Sequence, residues 1–258
     1  MIIIKMKKYI LLLIGLIGIF CSCQPKDKFC WNAGISAPKN YIASGPFVEF
    51  FYEGKSISGA SSNVGINSGW GVTSGGYVGG DKFKALPDSI YVSWRCGFEL
   101  KNYEGGIALP REKMLSLFRE GVTDVDGRKY PYTLIVTGMA PGGNITIWMQ
   151  GAGINTEIIK SKIKCFSQDD KFDVNSITLW NSEGREAKDI LNYINLHGIP
   201  YSVWEKEEKQ YNYDIGFTSE NNLIKPNIIT FYSKDGSWFQ PDIFDDFKSI
   251  EIEDWDNF

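Results

Sequence analysis

The hydrophobic pattern is organised around Pro131 to Gly151, PYTLIVTGMAPGGNITIWMQG, where two apolar runs flank a Pro-Gly-Gly turn. The pattern predicts a β-hairpin on which the remaining strands assemble. On its second strand Ile145, Ile147 and Met149 share one face, and Asn144, Thr146 and Gln150 the other. Trp148 falls on the polar face, so it is either covered by another element or exposed. Upstream, Phe29 to Ser36 reads as a strand, and Phe47 to Tyr52 carries five apolar residues in six, as suits a strand covered on both faces. Ser89 to Cys96 alternates, with Ile90, Val92 and Trp94 on one side, and Phe98 to Leu109 returns through Tyr103-Glu104-Gly105-Gly106.

Downstream, Ile154 to Phe166 predicts one long strand, with Ile159, Ile163 and Cys165 inward and Lys160, Lys162 and Lys164 facing solvent. A polar break at Asp169 to Asp173 precedes strands at Val174 to Trp180 and Tyr211 to Phe217 and a hairpin at Ile228 to Phe239. Helical spacing is confined to Pro110 to Glu120 (Met114, Leu117 and Phe118 buried), to Arg185 to His197 (Ala187, Ile190, Leu191 and Ile194), and to a short charged helix opened by a Ser202-to-Glu205 capping box. The expected fold is mainly β (α+β), an antiparallel β-sandwich-like core with two or three short helices. Residues 29–258 form a single β-rich domain, within which 174–258 is a candidate α+β subdomain. The acidic, aromatic tail from Pro241 reads as a last strand or a partner-binding arm.

The N-terminus changes the picture. Residues 1–22 place Lys5, Lys7 and Lys8 before an apolar run from Tyr9 to Phe20, the order of a secretory signal, with Met6 an alternative start. The run is short for a membrane-spanning helix. It ends in Phe20-Cys21-Ser22-Cys23, which resembles the lipobox of bacterial lipoproteins, with Phe20 where an aliphatic residue is usual. Cys23 is therefore expected to become the first residue of the mature chain and to carry the lipid, and residues 23–28 to form a polar tether. The resemblance implies a bacterial cell-envelope lipoprotein anchored by acyl chains such as palmitate. Gln24, in place of the aspartate that retains many lipoproteins at the inner membrane, favours the outer membrane.

An apolar share of 43% and a charged share of 22% are ordinary for a globular protein. Without the three leader lysines the 27 Lys+Arg fall to 24 against 31 Asp+Glu, a balance of −7 with no basic patch, which argues against nucleic acid as a partner. Past the lipobox, Cys30, Cys96 and Cys165 allow one internal disulfide at most, and the spacing does not choose the pair. Gly59 to Gly80 holds eight glycines in 22 residues and reads as a flexible loop or an irregular strand pair with tight turns. It lacks both G-x-x-x-x-G-K-[ST] and G-x-G-x-x-G, so it binds no nucleotide in either familiar way. Asp124 to Gly127 starts like a calcium loop but lacks the closing glutamate, and Asn144-Ile145-Thr146 is a sequon by pattern only. With His197 alone, neither a Ser-His-Asp set nor H-E-x-x-H can be assembled, and no cofactor or metal is expected.

Leu86 to Trp94, Leu109-Pro110, Gly138 to Ile145 with Trp148, Trp204 and Tyr211-Asn212-Tyr213 together resemble the bacterial lipoprotein family catalogued as domain of unknown function 2931. Tyr213 stands where that family has a tryptophan. The family carries no activity over, so the resemblance names no catalytic residue. The leading expectation is a non-catalytic module that binds an envelope or secreted protein, an immunity-type inhibitor being one form of it. A 14% aromatic content supports the alternative of a glycan-binding lipoprotein, and plentiful acids leave open a carboxylate-dependent glycosidase. Trp70, Tyr77 and Trp148 are the residues expected to touch a partner or glycan.

Overall fold

A computed structural model of the chain describes residues 27–74, 76–124, 127–169, 187–206, 231–232 and 238–239. In chain order the strands are β1 (Lys28–Cys30), β2 (Asn32–Ala37), β3 (Ser44–Tyr52), β4 (Lys55–Ser61), β5 (Gly69–Ser74), β6 (Gly76–Val78), β7 (Phe83–Ala85), β8 (Ser89–Cys96) and β9 (Lys101–Ala108). Helix α1 (Arg111–Glu120) follows, then β10 (Val122–Thr123), β11 (Lys129–Tyr130), β12 (Leu134–Ala140), β13 (Asn144–Gly151), β14 (Ile154–Lys162) and β15 (Cys165–Gln168). Helices α2 (Ala187–His197) and α3 (Tyr201–Glu205) and a short pair, β16 (Phe231–Tyr232) with β17 (Trp238–Phe239), complete the described elements. The signal peptide, Cys23, the expected strands at 174–180 and 211–217 and the acidic tail lie outside the described residues. Among the described residues no helix is long and apolar enough to cross a membrane.

Two sheets form a sandwich-like core. One has five strands in the order β14-β13-β12-β2-β5, the other six in the order β15-β9-β8-β3-β4-β6. The pairings are antiparallel except that β2 runs parallel to β12. Period-two alternation decides which side chains fill the space between the sheets. Ile35, Ile135, Met139, Ile145, Ile147 and Met149 from the first sheet meet Val48, Phe50, Ile90, Val92 and Trp94 from the second. Helix α1 follows Pro110 at its N-cap, where a missing N–H costs nothing, and is closed by Gly121 with φ +74. It adds Met114, Leu115 and Phe118 to the core; Leu117, the expected third residue of its stripe, is only partly buried.

The glycine-rich stretch carries two short strands that pair with different sheets and not with each other. β5 edges the five-stranded sheet and β6 the six-stranded one, so the segment carries the chain between layers. The long strand expected over 154–166 is two strands with the same role. β13 and β14 shift register between Ile147 and Trp148, so that Ile147 faces Ile159 while Trp148 faces Glu157 and Ile158 is the extra residue. Ile163 then donates its N–H to the carbonyl of Gly143, and the chain continues as β15 on the other sheet. The helix at 201–205 starts after Pro200 without a side-chain cap, so Ser202 lies inside it and opens no capping box. Cys30, Cys96 and Cys165 are all free thiols, with Cys96 buried and the other two exposed.

Candidate functional site

The residues expected to form an aromatic platform are placed by the fold before any surface is available to them. Trp70 and Trp148 lie on the side of the five-stranded sheet that faces away from the sandwich core, and α2 and α3 cover that side. Their rings stand perpendicular with centroids 4.9 Å apart, Trp204 of α3 lies 6.5 Å from Trp70, and Tyr41 packs edge-on to Trp204 at 5.1 Å. All four are buried. Trp70 and Trp148 are thus a second core, which corrects their reading as partner or glycan contacts. Tyr77 pairs through its backbone with Ala60 on β4, and its side chain lies outside the described structure.

The signature turn serves the same packing. A side chain at Gly138 would run into the rings of Trp148 and Trp70, at 2.5 and 2.7 Å from its first carbon. Gly142 and Gly143 adopt φ of +77 and +76. The N–H of Gly142 donates to Glu99, while a Cβ on Gly143 would strike the carbonyl of Ile163. Glu99 sits on the turn between β8 and β9 with its side chain only 2% exposed. Its carboxylate also accepts hydrogen bonds from the hydroxyls of Tyr103 and Tyr201, each at 3.0 Å. One acid therefore ties together the six-stranded sheet, the β12–β13 turn and α3. Burial, first, and then this carboxylate raise the pKa of both phenols well above the ordinary tyrosine value, so both stay protonated donors. Nothing in the sequence around Glu99 signals this role, because its partners are 4, 43 and 102 positions away.

The open surface is elsewhere. Among the described residues no element lies over the outer face of the six-stranded sheet along β3, β8 and β9. The apolar run at 47–52, expected to be covered on both faces, buries only Val48 and Phe50 fully, while Phe47 is 37% exposed and Glu49 and Phe51 are half-buried. Strand register places Phe51 beside Ser89 and Ala108, Glu49 beside Tyr91 and Gly106, Phe47 beside Ser93 and Glu104, and Ser44 beside Arg95 and Asn102. Large side chains thus alternate with serine, glycine and alanine, which leaves grooves between them. Phe47 and Tyr91 meet edge-on at 6.3 Å. The Tyr91 hydroxyl bonds to Glu104, and that bond, more than partial burial, pushes its pKa up to about 12.

One groove of about 540 Å³ opens over Phe51, Tyr91 and Gly106. A second, of about 420 Å³, lies between Ser93, Arg95, Asn102 and Phe166 of β15, whose ring is 71% exposed. Arg95 is held by Asp169 at 2.7 Å, and Asn102 donates to the same carboxylate at 3.1 Å, so this end of the face is a fixed polar rim. The alternation in SIYVSWRC already assigned Ser89, Tyr91, Ser93 and Arg95 to one face; what it could not show is that none of the described elements covers that face. Among the described residues no group of three or more His, Cys, Asp or Glu side chains is gathered as a metal site would require.

Neither the curated proteins nor the solved structures contain a match to this chain. The model of a family described as protein of unknown function DUF2931 matches residues 22–202, more than half the chain. That span contains the Gly138-to-Gly143 turn, both tryptophans packed on it and the Glu99 clasp, so the protein belongs to the DUF2931 family.

Proposed function

We propose that the protein is a non-catalytic, lipid-anchored module of a bacterial envelope that binds a protein partner through the outer face of its six-stranded sheet. The observation that carries this reading is the pair of exposed rings Phe47 and Phe166 with half-buried Tyr91, which no described element covers, set among small residues and bordered by the Arg95–Asp169 ion pair. Protein interfaces favour an apolar, aromatic centre inside a polar rim, and this face has that composition. The anchor rests on Cys23 in the Phe20-to-Cys23 lipobox, and Gln24 favours the outer membrane. An envelope or secreted protein is the fitting partner class, and a toxin neutralised by the cell that makes it is its immunity-type form.

The test is a photocrosslinking residue, p-benzoylphenylalanine, placed at Phe47 or Phe166 of the full chain in living cells. A single protein adduct from both positions, absent when the same residue replaces surface-exposed Glu120 on α1, supports the reading. Adducts absent from both, or equal from Glu120, would overturn it. The anchor is tested separately: Cys23→Ala should release the chain from membranes or leave it unprocessed, and full membrane retention at normal yield would refute lipidation at Cys23. A glycan partner would use the same rings rather than Trp70 or Trp148. It would show as retardation in envelope-polysaccharide gels that Phe47→Ala removes.

A further inference from the structure

A third cavity, of about 330 Å³, lies where β3 and β4 meet the segment leading into β7. It is lined by Phe47, Glu49, Ser56, Ser58, Asp81 and Lys84, together with backbone of Gly79 and Gly80. Lys84 is the unusual member, because the whole residue is only 6% exposed. Its ammonium lies over the Trp31 ring at 5.0 Å. Among the described residues its one hydrogen bond is to the carbonyl of Asp81, at 2.9 Å, and no carboxylate lies within ion-pair distance of it. Burying a cation with no carboxylate in direct contact is unfavourable, and desolvation lowers its pKa, opposed in part by the more distant Asp81 charge. Groups shifted in this way cluster at ligand and reaction sites.

The rest of the lining narrows the ligand. Two acids, Glu49 and Asp81, share the cavity with one lysine, so a phosphate dianion would meet net repulsion. A carboxylate that brings its own ammonium meets complementary charge at both ends, with Ser56 and Ser58 as further hydrogen-bonding groups. We propose that this cavity binds a free α-amino acid, its carboxylate on Lys84, its ammonium toward Glu49 and Asp81, and its side chain toward Phe47. The volume is that of a small-molecule site. The site adjoins the open face but does not rest on the partner-protein reading. Phe166→Ser, which should abolish partner crosslinking, should leave amino-acid binding intact.

The experiment is calorimetric titration of the full chain in detergent with each L-amino acid, followed by two analogues of the best binder, its amide and its des-amino acid. Binding is expected near the millimolar range typical of so small a ligand, roughly 10-fold weaker or worse for either analogue. Lys84→Met should abolish it. Ser56→Phe, on an exposed position at the cavity lining, should also abolish it and is informative even if the lysine variant does not fold. Failure of all amino acids to bind, equal binding by either analogue, or unchanged binding by a folded variant would overturn the proposal.

Discussion

The two sheets are treated differently by the rest of the chain. The five-stranded sheet is covered twice, by the sandwich core on one side and on the other by α2 and α3 through Tyr41, Trp70, Trp148 and Trp204. Among the described residues the six-stranded sheet is covered once and leaves Phe47 and Tyr91 facing outward. Both outer faces are aromatic, so composition alone does not separate them. What separates them among the described residues is the helical layer 187–206, which lands on the five-stranded sheet. The same kind of side chain is buried where that layer lies and exposed or half-buried where no described element does.

The largest effect expected from breaking this contrast is at the doubly covered sheet. Trp148→Ala removes a 1% exposed ring packed on Trp70 and should cost about 3–5 kcal/mol. Phe47→Ala, at 37% exposure and with one ring neighbour, should cost under about 1 kcal/mol. Denaturant unfolding of the two variants measures the difference directly. Equal losses would mean that the outer face of the six-stranded sheet is covered in the intact protein.

Next comes the clasp that holds α3 in place. Glu99→Gln removes a buried negative charge and turns an amide N–H₂ toward at least one donor. It should cost about 1–3 kcal/mol. Its more specific mark is local: hydrogen exchange should quicken in α3 and in the Gly142 amide before the rest of β12 and β13. Uniform acceleration through both sheets would show that Glu99 supports the fold in general and not the docking of α3.

How much of this was legible in the sequence follows from the range of each interaction. β8, α1 and the β12–β13 hairpin were readable because their alternation, proline and turn signals are local. The inward set Ile90, Val92 and Trp94 was therefore right. Tertiary facts were not readable in this way. The run at 47–52 has the composition of a doubly buried strand, yet Phe47 is exposed and Phe51 half-buried because no described element returns over its second face. Trp148 sits among polar neighbours and yet is buried, because Trp70 and Trp204, 78 and 56 positions away, close over it. The break between β14 and β15 was hidden because Lys160, Lys162 and Lys164 keep perfect alternation across a chain that changes sheets. Family resemblance marked the Ala-Pro-Gly-Gly turn as specific, and the structure gives the reason as packing around tryptophans and Glu99.

A smaller effect in the covered cluster is read through pH. Tyr41, in the covered cluster, has its pKa pushed up to about 12 by burial and, secondarily, by Tyr193, and its hydroxyl donates to the carbonyl of Gly198 at 2.8 Å. A tyrosine raised in the folded state favours the neutral form. Its contribution is complete below the ordinary value of 10.0 and is lost as pH rises from there through about 12. The denaturant midpoint should therefore be level to about pH 9.5 and fall above 10. Tyr41→Phe should make that fall shallower. A profile unchanged by Tyr41→Phe would place the alkaline sensitivity outside the tryptophan cluster.

The smallest expected stability change is the most telling for function. Phe166 is 71% exposed on an edge strand, so Phe166→Ser should alter stability by no more than about 0.5 kcal/mol. Removing the Tyr91 hydroxyl in Tyr91→Phe loses one exposed hydrogen bond to Glu104 and should cost no more than that. A side chain that contributes little to folding yet presents a ring to solvent incurs an aggregation risk with no structural return. Interface residues at the centre of an aromatic patch, by contrast, commonly cost about 2 kcal/mol or more of binding when truncated. The pair Phe47→Ala and Phe166→Ser should therefore keep the folded chain at wild-type abundance while losing at least about tenfold in partner affinity. Intact affinity in both variants would move the binding surface off this sheet, and a loss matched by lost abundance would return these rings to the fold.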